Sequence, residues 1–387
     1  MPTRVPDHEF ADRLDAVRGE IADADADAGV WFGATSIEYL CGFDHIQTER
    51  PVALAVTQDR LEIVVPRLEV ERVGQNPRID AVHHYFDYPQ GEPMQVVAEM
   101  LAGLDADTVV ADMDGAPGVM GYDGPALSDL VEAVETQAWV ADMRYAKSPT
   151  EVDLVRESAR WGNLAHRYLY DLTAVGRHPV SVSMEASAKG SRAMLDALGD
   201  EYVPRSRGGG PVHAGYITGE QTRLPHGHTA NRRLQEGDVA ITGAAANVDG
   251  YYSELERTLF LGWPDEDQRH HFEVMKEAQT IAIEALGPGV PLADVDEQVT
   301  AYFEEQGVAD LAQHHVGHNI GMGGHEPPYI DAGWDGEMQV GEIYTIEPGL
   351  YTDEYGYRHS DTVAVTEDGA EALTYFPRDL EGNVIEV

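Results

Sequence analysis

An α+β chain in two domains is what the sequence predicts, and three observations predict it. At 387 residues the chain exceeds one ordinary domain, and 43% hydrophobic residues can fill two cores. Near residue 145 an Ala-Asp-Met-Arg run gives way to KSPTEVDLVRES, where Ser148, Pro149 and first-turn acids form a helix-start signature. The second part alternates helical and strand patterns in a repeated order. Domains are therefore expected at 1–145, an N-terminal α/β part, and 146–387.

Within the first part, helical spacing covers about 8–24, 67–75 and 93–104, and alternation marks strands in GVWFGA, RPVALAVTQDRLEIVVP and DTVVADM. The run EYLCGF is β-patterned and places Cys41, the single cysteine, in a buried strand rather than in a nucleophilic role. Beyond the boundary, Val152, Val155, Ala159, Leu169 and Leu172 lie at helical spacing in a helix of about 150–175. A second helix follows at 180–199, then strands through EGDVAIT and ELERTLF, then helices near 264–287 and 291–306, then strands again.

Charge narrows the function classes. The 69 acidic and 26 basic residues leave a formal charge of −43, and the bases include only Lys147, Lys189 and Lys276 as lysines. The acids are spread along the chain, which fits a surface adapted to molar salt, as in halophiles, rather than an acidic tail. Such a surface repels nucleic acid and anionic membranes, so neither is expected as a partner. One cysteine excludes intrachain disulfides and thiolate-rich metal sites. MPTRVPDHEF lacks a signal-peptide core and no apolar run has spanning length, so a cytoplasmic protein is expected.

The chemistry is concentrated in HHVGHNIGMGGHEPPYI and GEIYTIEPGLYTDEYGYRHSD. His314, His318 and His325 fall at spacings of four and seven on Gly-rich turns, and Glu347 precedes Pro-Gly. Imidazoles and carboxylates gathered in β-patterned runs need partners or a metal once buried. Upstream, LPHGHTANRRLQEGDVAITGAAANVDGYYSELERTLFLG carries His226 in a Pro-Gly turn, where a loop can aim a general base into a cleft.

These four ordered blocks, spread over about 140 residues, resemble the pita-bread hydrolases, the family of prolidase, aminopeptidase P, methionine aminopeptidase and creatinase. The resemblance implies a pita-bread catalytic domain behind a creatinase/prolidase-type N-terminal domain. It also implies five metal ligands for two ions, of which this chain departs at two: an aspartate position is Gly243, and the last glutamate position is Ser360 in YRHSD. Glu254, His318 and Glu347 remain. Two carboxylates balance one divalent cation, so at most one ion (Mn, Co or Zn) is expected, with no metal at all as the competing reading.

The resemblance to creatinase, which works without metal, points to Glu256 just before Arg257. Glu254 and Glu256 are two apart in a strand and share a face. On that reading His226 shuttles a proton while Glu254, Glu256 and Glu347 hold a cationic guanidinium; the competing role for Glu256 is a solvated pair with Arg257. Resemblance further assigns His325 to catalysis near the scissile bond, and His314, or its neighbour His315, Arg358 and Arg50 to substrate contact. Arg50 matches an arginine that reaches a partner subunit's site, which implies a homodimer. Three functions follow: an Xaa-Pro peptidase-like hydrolase with a reduced metal site, a metal-independent hydrolase of a small guanidino or amide compound, and a non-catalytic peptide-binding relative.

Overall fold

The computed structural model describes residues 2–205 and 209–387. Two units divide after Arg144: Val5–Arg144, and Tyr145–Val387 with the residues ahead of Val5.

The first unit is a six-stranded mixed sheet with helices. In spatial order its strands are Ala81–Tyr85, Leu61–Pro66, Ala53–Val56, Ala28–Trp31, Thr108–Ala111 and Ala133–Thr136. The central four are buried throughout or nearly so, which is why they read as apolar runs. Helices Asp7–Asp23 and Pro93–Gly103 fall within one residue of their expected bounds at each end, the second opening on proline. The expected helix at 67–75 is a 3₁₀ turn, Arg67–Glu69, running into the short helix Val70–Val73. One expectation is overturned: EYLCGF is not a strand. Cys41 ends the helix Ala34–Cys41, whose buried Ile37, Leu40 and Cys41 have helical spacing and whose end is closed by Gly42 at φ 75. Burial raises the Cys41 thiol to about 12, which removes it as a nucleophile.

In the second unit, helix Pro149–Leu172 starts where expected because the Ser148 hydroxyl accepts from the Glu151 N–H while Glu151 closes the capping box. Helix Pro179–Leu198 packs beside it, and together they cover strands Val212–Thr218 and Val239–Val248. Helices Glu266–Ala285 and Leu292–Gln306 form the second pair, with Phe272, Met275, Val299 and Phe303 in one core with Ile330 and Tyr344 of the strands. The main path of the sheet is antiparallel throughout: Glu326–Ile330, Gly317–Asn319, Ile343–Ile346, Ser360–Thr366, Leu255–Leu261, Val239–Val248 and Val212–Thr218.

Arg257 locks the middle of this sheet. It is fully buried and donates to the carbonyls of Glu256, Ser360, Phe376 and Pro377 and to Asp361 at 2.9 Å, tying strand Leu255–Leu261 to its neighbour and to the C-terminal segment. Among the described residues no helix is long and apolar enough to cross a membrane.

Candidate active site

Successive side chains of a strand point to opposite faces, so Arg257 enters the core while Glu254 and Glu256 face a cleft of about 620 Å³. The cleft gathers residues from six separate segments. Strand Leu255–Leu261 and the residue before it supply Glu256 and Glu254. The turn Pro225–His226 brings His226 to the exposed lip. His314, His315 and His318 come from the run into strand Gly317–Asn319, His325 from the turn after it, Glu347 from the link between strands Ile343–Ile346 and Gly349–Tyr351, and Arg358 from the end of strand Gly356–Arg358.

Ligand-type atoms of Glu254, His318 and Glu347 all lie within 4.8 Å of one another. His318 Nε2 sits 3.2 Å from Glu347 Oε1, and its Nδ1 is 3.0 Å from the Asn319 carbonyl, a partner that fixes the tautomer leaving Nε2 toward the cleft. His325 stacks on His318 with ring centroids 3.9 Å apart. Ser360, in the place where the resemblance expects a glutamate, donates its hydroxyl to Glu254 Oε1 at 2.8 Å, and Gly243 faces Glu256 across the sheet. This donor set fits one cation: three ligand atoms are in reach, while neither Gly243 nor Ser360 brings the anionic oxygen that a second would need.

Glu256 faces the cleft beside Glu254, and its competing role as a solvated partner of Arg257 does not hold. Arg358 holds Glu256 through two nitrogens, with Nη2 2.9 Å from Oε1, and its Nε is 3.8 Å from Glu347 Oε2. The remaining Arg358 nitrogen donates to the Pro225 carbonyl at 3.1 Å and the Tyr351 hydroxyl at 3.0 Å. Expected as a substrate contact, Arg358 instead commits its fork to the cleft wall. His314 Nε2 meets the same Tyr351 hydroxyl at 2.8 Å and its Nδ1 the His315 carbonyl, so His314 too is held by the wall. Arg50 is not among the cleft residues; it lies in the N-terminal unit, paired with Asp87 and Glu49 at 2.6 Å each.

Electrostatics divide the acids. Burial, reinforced by Glu347 and Glu256, raises Glu254 to about 8, so without a cation it is protonated at neutral pH. Burial also raises Glu256, opposed by Arg358. Glu347 goes the other way: burial would raise it, but the His318 hydrogen bond and Arg358 together hold it well below the carboxylate range. His318 is raised in turn, because Glu347 outweighs its burial. A divalent cation would enter by displacing the proton from Glu254, which burial and its acidic neighbours hold above the carboxylate range.

Two residues escaped sequence reasoning, Gln313, which lines the cleft, and Tyr351, which supports its wall through His314 and Arg358. Tyr351 stands just beyond IEPGL in the segment already singled out, and its hydroxyl, raised to about 12 mainly by burial, joins His314 to Arg358.

Comparison with known proteins agrees with this architecture. Residues 153–367 match metallopeptidase family M24, and residues 13–144 match the creatinase/prolidase N-terminal domain. The chain is 29% identical over 377 residues to the probable dipeptidase PepE of Mycobacterium tuberculosis, covering 96% of each. It is 27% identical over 334 residues to the Xaa-Pro dipeptidase of Pyrococcus furiosus, covering 84% of this chain and 88% of that one. The crystal structure of dipeptidase PepE from Mycobacterium ulcerans superposes with a TM-score of 0.82 at 28% identity, over 99% of this chain and all of that one. With the family match spanning more than half its length and the cleft residues inside that span, the chain belongs to metallopeptidase family M24, as a peptidase-like hydrolase of pita-bread fold.

Proposed function

We propose that the chain hydrolyses short peptides of the Xaa-Pro dipeptide kind with one divalent ion, Mn, Co or Zn, at Glu254, His318 and Glu347. The observation that carries this reading is the convergence of those three side chains in the cleft, while the positions for a second ion are Gly243 and Ser360. When bound, the ion supplies Lewis acidity toward a carbonyl oxygen and a more acidic water. The protein's residues do the rest. His226, on the exposed turn, receives and returns a proton at its imidazole nitrogen. His325, stacked on His318, presents a ring N–H to the substrate at the cleft rim. Arg358, pinned by Glu256 and Tyr351, holds the wall and keeps Glu347 ionised.

The creatinase-like alternative needs Glu254, Glu256 and Glu347 unpaired to hold a guanidinium. Against it, Glu256 already holds a guanidinium, that of Arg358, and Glu347 is hydrogen-bonded to His318. The test is turnover of Xaa-Pro dipeptides and of creatine on one preparation in molar KCl, before and after dialysis against a chelator. Dipeptide cleavage lost on chelation and regained with Mn²⁺ is expected; creatine cleavage indifferent to chelator would overturn the reading.

A further inference from the structure

Lysine is scarce in this chain, yet Lys147 is buried in the catalytic unit, against the end of the strand that carries His318. Its backbone is fixed first. The Lys147 N–H donates to the Gly341 carbonyl at 2.9 Å and Ala146 bridges Glu342, so the chain enters the unit alongside the segment leading into strand Ile343–Ile346. The side chain then reaches Asn319, the residue after His318. Its ammonium donates to Asn319 Oδ1 and, at 3.1 Å, to the Tyr145 carbonyl, which also accepts from Asn319 Nδ2 at 3.2 Å.

Asn319 is fully buried and passes this anchoring on. Its own carbonyl accepts from His318 Nδ1 at 3.0 Å. Against strand Glu326–Ile330 the register shifts between His318 and Asn319, so on that side the ladder does not hold the peptide that orients the ring. The Asn319 side chain, clamped by Lys147 and Tyr145, does.

The same ammonium lies under the turn that carries His325. A Cβ on Gly321 would stand 2.7 Å from Lys147 Cε, 3.3 Å from its Nζ and 3.4 Å from Glu326 Oε2, so a glycine lets lysine and glutamate come together beneath the turn. Glu326 in turn accepts from the Gly323 N–H. His325, at the end of this turn, stacks on His318. Burying an ammonium is costly unless its hydrogen bonds are made, and lysine brings its donors on a compact head where a planar guanidinium is wider.

We propose that Lys147 is a positioning residue: through Asn319 and the Gly321–Gly323 turn it holds the His318 imidazole, with His325 stacked on it, in the orientation that meets a metal ion. The proposal deepens, and rests on, the reading of Glu254, His318 and Glu347 as ligands. Lys147 itself touches neither ion nor substrate.

The test measures Mn²⁺ binding by calorimetry on metal-stripped protein in molar KCl for the parent, Lys147→Met and Gly321→Ala. The last keeps the ammonium but crowds its Cε. On the same metal-free samples, NMR of histidine-labelled protein follows the His318 Nδ1–H proton, assigned with His318→Gln. Lys147→Met is expected to bind Mn²⁺ about 10–100-fold more weakly, the usual worth of a group that orients a metal-binding histidine, and to exchange its His318 Nδ1–H faster with water. Gly321→Ala should move both readouts the same way by less. A merely structural lysine would lower the melting temperature and leave affinity and exchange at the parent's values. That result in Lys147→Met, or in Gly321→Ala should Lys147→Met not fold, overturns the proposal. A parent that binds no Mn²⁺ removes the metal reading; the positioning role then stands if His318 exchange is faster in the variants and falls if it is not.

Discussion

Two buried histidines should set the acid limit of the catalytic unit. His166 is fully buried, with Nε2 2.7 Å from the Thr242 hydroxyl and Nδ1 without a partner among the described residues, and burial together with Arg257 lowers it to about 3. His359 is fully buried against Phe272 with neither ring nitrogen hydrogen-bonded among the described residues, and burial followed by Arg257 pushes it well below its ordinary value. Both are neutral in the folded chain and protonate freely near 6.5 once unfolded, so the unfolded state takes up more protons below that pH. Stability is therefore complete above about 6.5 and declines as pH falls toward 3. At pH 5 the His166 cost alone is ~2 kcal/mol, or ~4–8 °C of melting temperature for a unit of this size. His359 adds a cost of the same sign. The assay is melting temperature from pH 7.5 to 4.5 in molar KCl, which screens the surface acids, for the parent, His166→Gln, His359→Phe and the double variant. The slope is the readout, because His359→Phe also removes two unsatisfied nitrogens and can raise stability at neutral pH. A double variant with the parent's slope would refute the reasoning.

Three further outcomes are expected. His226→Ala should lower turnover by at least about a hundredfold with little change in melting temperature, since the side chain is exposed at the cleft lip; unchanged turnover on a cleaved dipeptide would return it to an ordinary loop histidine. Arg257→Met should destabilise the unit by about 3–5 kcal/mol in urea titrations, because Asp361 would lose its buried counter-charge and four carbonyls a donor. Gly243→Asp with Ser360→Glu should raise metal content above that of the parent, whereas each single change should do little; a double variant that folds in high salt with unchanged metal content would show those positions misassigned.

Much of this layout was legible because it is local. Capping by Ser148 and Glu151, proline at first helical positions and helical spacing marked the long helices of the catalytic unit to within about three residues. The acid, histidine and glutamate near the ordered motifs do converge. Glu254 and Glu256 do share the cleft face, as their two-residue spacing implies; what was missed is what lies across the sheet. Glu256 and Arg257 are neighbours in sequence but occupy opposite faces, so Arg257 ties down the core and Arg358, a hundred residues on, pairs with Glu256. Cys41 was misread because a run as short as EYLCGF can be strand or helix, and Gly42 was the cue that ends a helix. Tyr351 is one of 18 tyrosines and carries no spacing signal.

The most direct test of the single-ion hydrolase is a titration of metal-stripped protein with Mn²⁺ in molar KCl, following bound ions per chain and Xaa-Pro dipeptide turnover on the same samples. Activity that rises with, and saturates at, one ion per chain is the predicted result, with both signals lost in His318→Ala. Saturation at two cleft ions per chain, or full dipeptide turnover at zero, would contradict it.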